Sequence, residues 1–153
     1  MSTTRPLFLL EIFWKHFAIS RLPHIIALFS LERRIFLSSD GRTWTILADP
    51  YANPTLDHHT AAYDVERRQY LIFGGKNYRF TALGSLFELQ GGRLVERARE
   101  GPSPRYNSAM VYDSKRSQMV VFGGRVRDDD TFIAMSDTWI WNGSTWTEMT
   151  PGE

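Results

Sequence analysis

From about Ile35 to the C-terminus, short apolar runs alternate with clusters of Gly, Asp, Asn and Pro, a pattern of strands separated by turns. The runs recur in register. Ala62 to Gly75 lies over Val111 to Gly124 at an offset of 49 residues, with seven of the fourteen pairs identical. Phe87 to Glu96 lies over Trp139 to Glu148 at an offset of 52, so the second unit carries three extra residues between its halves. Leu37 to Thr45 matches the tail of that second unit at an offset of 102, which adds a third unit represented only by its closing part. A repeat of this kind has to be settled before any motif is weighed, because each residue then has a counterpart to be compared with.

Each complete unit predicts four antiparallel strands. The first run, around His59 to Tyr63 or Ser108 to Tyr112, is joined by a polar turn (Val65 to Arg68, Ser114 to Ser117) to an apolar run ending in Gly-Gly, which makes a hairpin. The third and fourth runs flank Gly91-Gly92 and Asn142-Gly143, and those of the partial unit flank Asp40-Gly41; such dipeptides accept the positive φ of tight turns. Alternation places Trp139 and Trp141 on one strand face with Trp146 across the turn, a predicted cross-strand aromatic cluster. Gly74, Gly75, Gly123 and Gly124 are read as scaffold, since Gly alone accepts both positive φ and close backbone approach. A phosphate-cradling loop would need a helix start after the glycines, and here another strand follows. Residues 1–34 contain no Gly and read as one apolar helical stretch with a Glu11–Lys15 pair at i,i+4.

Charge and composition narrow the classes. The chain has 153 residues, enough to bury the core of one domain. Its 18 Lys+Arg against 17 Asp+Glu leave a formal net charge of +1, no field that would draw in nucleic acid or an anionic membrane surface. Cysteine is absent, which removes disulfides, thiolate nucleophiles, Cys-ligated zinc and iron–sulfur clusters. The longest charge-free stretch near the N-terminus, Leu22 to Leu31, falls short of the ~20 residues of a spanning helix, and no clean cleavage site follows. No membrane segment or secretory signal is expected, which assigns the cytoplasm by default.

Candidate chemistry is sparse. Asp128-Asp129-Asp130 lacks the spaced ligands and interior Gly of a calcium loop and reads as a solvated charge run. His58 and His59 are adjacent on a strand, where their side chains point to opposite faces and do not share a metal. No nucleophile-elbow or His-Glu-x-x-His motif occurs, so no catalytic, metal or cofactor site is expected. In a four-stranded antiparallel unit, the second-to-third loop and the link to the next unit emerge on one side. The long loops Lys76 to Gly84, Arg125 to Ser136, Ala48 to Asp57 and Ala98 to Arg105 therefore share a face, where binding is expected. Tyr78, Arg79, Phe80, Arg105, Tyr106 and Arg127 are its aromatic and Arg candidates.

The residues Phe73-Gly74-Gly75 and Phe122-Gly123-Gly124, each about ten after Tyr-Asp, resemble the Kelch repeat of the galactose-oxidase-like β-propellers, in its bacterial form. Asp137 to Gly143 followed by Trp146, and Pro104-Arg105 ahead of a first strand, belong to the same resemblance. His59 has Ser108 as its counterpart, and Arg105 has Leu56, so the pattern is not uniform between units. A second stretch, Ser38 to Trp44, resembles the Asp-box hairpin of sialidase-type propellers one residue short; Asp40 and Trp44 are read as structural.

The resemblance implies an all-β partial propeller of four-stranded antiparallel blades. Residues 35–53 would be the closing hairpin of a partial blade, 54–101 one full blade and 102–153 a second, after the apolar segment 1–34. It implies a non-enzymatic binding module whose partners are proteins or glycans. The alternatives are a fragment of a carbohydrate-acting propeller enzyme, sialidase- or epimerase-like, or a truncated product without a function of its own. Closed propellers have 4 to 8 blades, so an arc of two and a fraction is expected to self-associate to complete the ring. Glu148 to Glu153 resembles the inter-blade link Glu96 to Pro102, an expectation that a further blade would follow.

Overall fold

The computed structural model describes residues 27–31, 34–38, 43, 45–48, 56–77 and 79–149, and before residue 49 its strands are described as backbone. The described chain is all-β. Strands β1 (Ala27–Leu31), β2 (Arg34–Ser38) and β3 (Thr45–Ala48) form a three-stranded antiparallel sheet. A four-stranded sheet follows in the order β4 (Thr60–Asp64), β5 (Gln69–Phe73), β6 (Leu86–Gln90), β7 (Arg93–Ala98). A second four-stranded sheet is built from β8 (Ala109–Asp113), β9 (Gln118–Asp128), β10 (Thr131–Trp141) and β11 (Trp146–Met149), again paired in chain order. Both complete units thus fold as antiparallel four-stranded meanders, as the repeat predicts.

The Tyr-Asp signal of each unit is explained by its first turn. Asp64 Oδ1 accepts from the Arg67 amide (3.0 Å) while Oδ2 accepts from the Arg67 guanidinium (2.9 Å). Asp113 repeats this with the amides of Lys115 (2.9 Å) and Arg116 (3.2 Å) and the Arg116 guanidinium (2.8 Å). A carboxylate that takes up turn amides fixes the chain reversal, and the Arg three residues on clamps it. At the Gly-Gly end, a Cβ on Gly74 would lie 2.6 Å from the Arg105 carbonyl oxygen, and φ is +67°. Only Gly fits both conditions.

The main core lies between the two four-stranded sheets. Leu71, Phe73 and Leu86 of the first meet Met110, Met119, Val121 and Trp141 of the second. Trp141 and Trp146 are register partners with centroids 5.4 Å apart, and Trp146 stands edge-on to Phe73 at 5.4 Å. Trp139 packs against the same cluster. The opposite face of the first sheet buries Ala61, Ile72 and Phe87 together with Leu56. Across the hairpin edge, Arg67 reaches from the first sheet to the second and donates to the carbonyls of Ser117 (3.1 Å) and Asn142 (2.7 Å).

Two expectations change. Ala27–Leu31, within the stretch read as helical, is a strand paired with Arg34–Ser38. A single i,i+4 pair at Glu11–Lys15 carries no information about residues farther along that find a β partner one turn away. Residues 1–26 lie outside the described residues. The second change concerns Arg125 to Ser136, expected as a loop. Here β9 and β10 continue as a two-stranded ribbon from Arg125↔Ala134 to Asp128↔Thr131, closed by Asp129 and Asp130. Val126 and Ile133 form a β-branched cross-strand pair, and Asp129 takes the positive φ (+48°) that the tight turn requires.

Candidate functional site

The loop edge is built by backbone pairing that the repeat duplicates. Asp57 and Lys76 exchange two backbone hydrogen bonds (2.9 and 2.8 Å), and their counterparts Tyr106 and Arg125 exchange two more (3.0 and 2.9 Å). His58 and its counterpart Asn107 both adopt φ +58°, and the Asn107 amide donates to the His58 carbonyl (2.9 Å). These bonds draw the link before each first strand against the residue that follows each Gly-Gly. The loops Lys76 to Gly84, Ala98 to Arg105 and the end of Ala48 to Asp57 therefore do meet on one edge, and the β9–β10 ribbon stands beside them.

The result is a ladder of alternating rings and cations. The Lys76 ammonium lies 4.7 Å from the Phe80 ring centroid and 5.6 Å from that of Tyr106. The Arg125 guanidinium lies 5.7 Å from the Tyr106 centroid and 4.8 Å from that of Phe132. Tyr106 is buried in the middle, whereas Phe80 (64% exposed) and Phe132 (59%) form open ends. His58 meets Tyr106 edge-on at 6.2 Å. Asp57 contacts both His58 Nδ1 (3.0 Å) and the Lys76 ammonium (4.0 Å). With its carboxamide oxygen turned to Arg125, Asn107 accepts from Nη2 (3.0 Å) and Nε (3.2 Å). Cations held between ring faces keep their outer edges available to carboxylates, and exposed Phe rings offer apolar contact beside them.

Arg105, expected among the binding residues, is placed otherwise. Its side chain is fully buried and each of its five N–H groups has an acceptor. Nε donates to the Ser103 carbonyl (2.9 Å), Nη1 to the Gly123 carbonyl (3.1 Å) and Asp137 Oδ1 (2.5 Å), and Nη2 to Ser103 Oγ (2.9 Å) and Asp137 Oδ2 (2.7 Å). The register shifts between Met135↔Gly124 and Thr138↔Phe122, so two residues of β10 face one of β9 in a bulge that aims Asp137 inward. Bonds from Arg105, and then from the Trp139 indole, hold the Asp137 carboxyl down at about 2 against the cost of burial. With no donor left, Arg105 locks the link to the ribbon and offers nothing to a ligand.

The remaining candidates divide. Tyr106 is in the ladder but presents little surface. Phe80 is one of its open ends, and Arg79 stands exposed beside it, its amide bonded to Asn77 Oδ1 (2.9 Å). Arg127 sits out on the ribbon, donating to the Asp129 carbonyl (2.8 Å) and to Asp130 (3.4 Å). That pairing gives the acidic run a turn-stabilising role. Tyr78 and Trp44 lie outside the described residues. Lys76, Arg125 and Phe132 were not singled out from sequence. The signal for two of them was present, since a cation directly follows Gly-Gly in both units.

At the opposite, hairpin edge a cleft of about 340 Å³ is lined by Arg67, Gln69, Arg97, Trp141, Gly143 and Ser144. Its cations are engaged, Arg67 with Asp64 and two carbonyls and Arg97 with Glu88. The loop edge is the stronger candidate.

No family model matches the chain. Among curated proteins it is similar to dynein regulatory complex subunit 7 of Chlamydomonas reinhardtii, 41% identical over 80 residues. That similarity takes in 46% of this chain and 7% of the subunit, so the chain spans a small fraction of the protein it matches.

Proposed function

We propose that the chain is a non-enzymatic interaction module made of Kelch-type propeller blades, and that its loop edge recognises a protein segment carrying carboxylates beside apolar side chains. The observation that carries this reading is the Phe80–Lys76–Tyr106–Arg125–Phe132 ladder, which sets two cations and two exposed rings in a row. Such a row supplies charge-assisted hydrogen bonds and apolar contact together, the mixture found at protein-recognition hot spots. The blade reading is supported by two successive four-stranded meanders stacked through one core. The partial similarity to a protein named as a complex subunit agrees with an interaction role.

The test is binding of the full chain to an array of acidic peptides and, in parallel, to an array of glycans. The reading expects a peptide signal that falls at least about tenfold in Lys76→Ala/Arg125→Ala and in Phe80→Ala/Phe132→Ala, with folding unchanged. A signal indifferent to both pairs, or selective glycan binding with conversion to product, would overturn it and favour the carbohydrate-enzyme alternative.

A further inference from the structure

Repeat equivalence picks out an apolar sheet face that no described residue covers. In the first four-stranded sheet, one face carries the cross-strand rows Ala62–Leu71–Glu88–Val95 and Thr60–Phe73–Leu86–Ala98. Leu71, Phe73 and Leu86 of these rows are fully buried, because the second sheet lies on them. The equivalent rows of the second sheet are Val111–Val120–Ile140–Thr147 and Ala109–Phe122–Thr138–Met149, Met149 taking the pairing place that a register shift in the first sheet gives to Ala98. Nothing described covers these: Val111 is 59% exposed, Phe122 53% and Met149 44%. Neither row contains a charge, and the buried acid of the first sheet, Glu88, has Ile140 as its counterpart. Uncharged apolar rows of this extent on a sheet face mark an interface.

A second, independent observation indicates what lies on that face. Arg67 clamps its own turn and then reaches across to the carbonyls of Ser117 and Asn142 on the neighbouring sheet. Its counterpart Arg116 makes the same clamp with Asp113, yet its side chain remains 71% exposed. Both the apolar rows and the Arg latch are thus present in the second sheet in the form that receives another sheet.

We propose that the outer face of β8–β11 seats a second copy of this chain, stacked as β8–β11 is stacked on β4–β7, with Arg116 donating to turn carbonyls of that copy. The occupant follows from continuity with the interface already inside the chain, which shows the kind of sheet these rows accept. Both described faces of β4–β7 are occupied by core, so the incoming surface is not one of them. The contact joins one copy of the chain to another, so its strength sets the mass at a given concentration. It is separate from loop-edge recognition, and the two are tested apart.

Sedimentation of the full 153-residue chain up to about 100 µM provides the test, this being the range of a weak, standard-size interface. Wild type is expected to show a concentration-dependent mass of more than one chain. Phe122→Glu and Val111→Lys, both on an exposed face, should sediment as folded monomers, and Arg116→Ala should weaken association by roughly three- to tenfold. Arg93→Glu, on another edge, should not change the mass. Phe80→Ala/Phe132→Ala should likewise leave the mass unaltered, while Phe122→Glu leaves peptide binding intact, which separates failure of this proposal from failure of the functional reading. A wild-type monomer throughout, whether residues 1–26 or nothing covers the face, overturns the proposal. So does an oligomer that Phe122→Glu and Val111→Lys leave unchanged.

Discussion

The two four-stranded units share a turn, a register and a Gly-Gly signal, yet the same position does different work in each. Phe73 is fully buried and Phe122 is 53% exposed. Arg67 bridges two sheets where Arg116 stops at its own turn. The link before the first strand is anchored in one unit by Leu56, buried among Ala61, Ile72 and Phe87, and in the other by Arg105 bonded to Asp137. The repeat therefore determines the sheet and its turns, and the neighbour determines which of its residues bear the energy. A signature residue cannot be assigned a role until its surroundings in that copy are known.

The widest contrast is at the paired phenylalanines. Phe73→Ala removes a ring from the inter-sheet core and should cost about 3–5 kcal/mol, whereas Phe122→Ala in dilute chain should cost below about 1 kcal/mol. Denaturant unfolding of both reads the difference directly. Equal costs would mean that Phe122 is covered.

The anchors come next. Arg105→Ala leaves Asp137 without its cation and should cost about 3 kcal/mol. Installing the first unit's residues, Arg105→Leu with Asp137→Ser, removes both charges and should recover most of that loss, to within about 1 kcal/mol of the parent. A double variant as unstable as the single one would show that the two anchors are not interchangeable.

Asp137 also predicts an acid limb. Its folded pKa of about 2 lies below the ordinary 3.8, so its contribution is fully present above pH ~4 and is lost as pH falls through ~2. With the side chain a quarter exposed, the loss should be about 2 kcal/mol, read from unfolding midpoints at successive pH. The Arg105→Leu/Asp137→Ser variant should lack that slope. The smallest contrast is the latch: Arg67→Ala should cost about 1–2 kcal/mol and Arg116→Ala, in dilute chain, less than about 0.5 kcal/mol. Similar values for the two would mean that the reach across the sheets is energetically idle.

The strands, the hairpin turns and the Trp141–Trp146 pairing were legible because each rests on local periodicity or on a dipeptide with one favoured conformation. The shared loop edge was legible too, from antiparallel connectivity alone. Arg105 reads as a surface residue in sequence because its burial depends on Asp137, thirty-two residues away, brought inward by a bulge that no local pattern announces. The Arg125 to Ser136 ribbon hid behind its acidic run, which reads as loop until Arg127 and Asp129 are seen to close a turn. Lys76 and Arg125 carried a signal in their shared place after Gly-Gly, but their partners Phe80, Tyr106 and Phe132 are assembled from three separate segments.

Thiol reactivity at the two phenylalanine positions tests the comparison most directly. The chain contains no cysteine, so Phe73→Cys and Phe122→Cys each introduce a single thiol. In dilute chain the Phe122→Cys thiol should react at nearly the rate of a free thiol and slow as concentration rises. The Phe73→Cys thiol should react only through unfolding, slower by about 100-fold or more at every concentration. Equal protection of the two in dilute chain, or equal reactivity, would contradict the account: one unit could not then be the covered copy of the other.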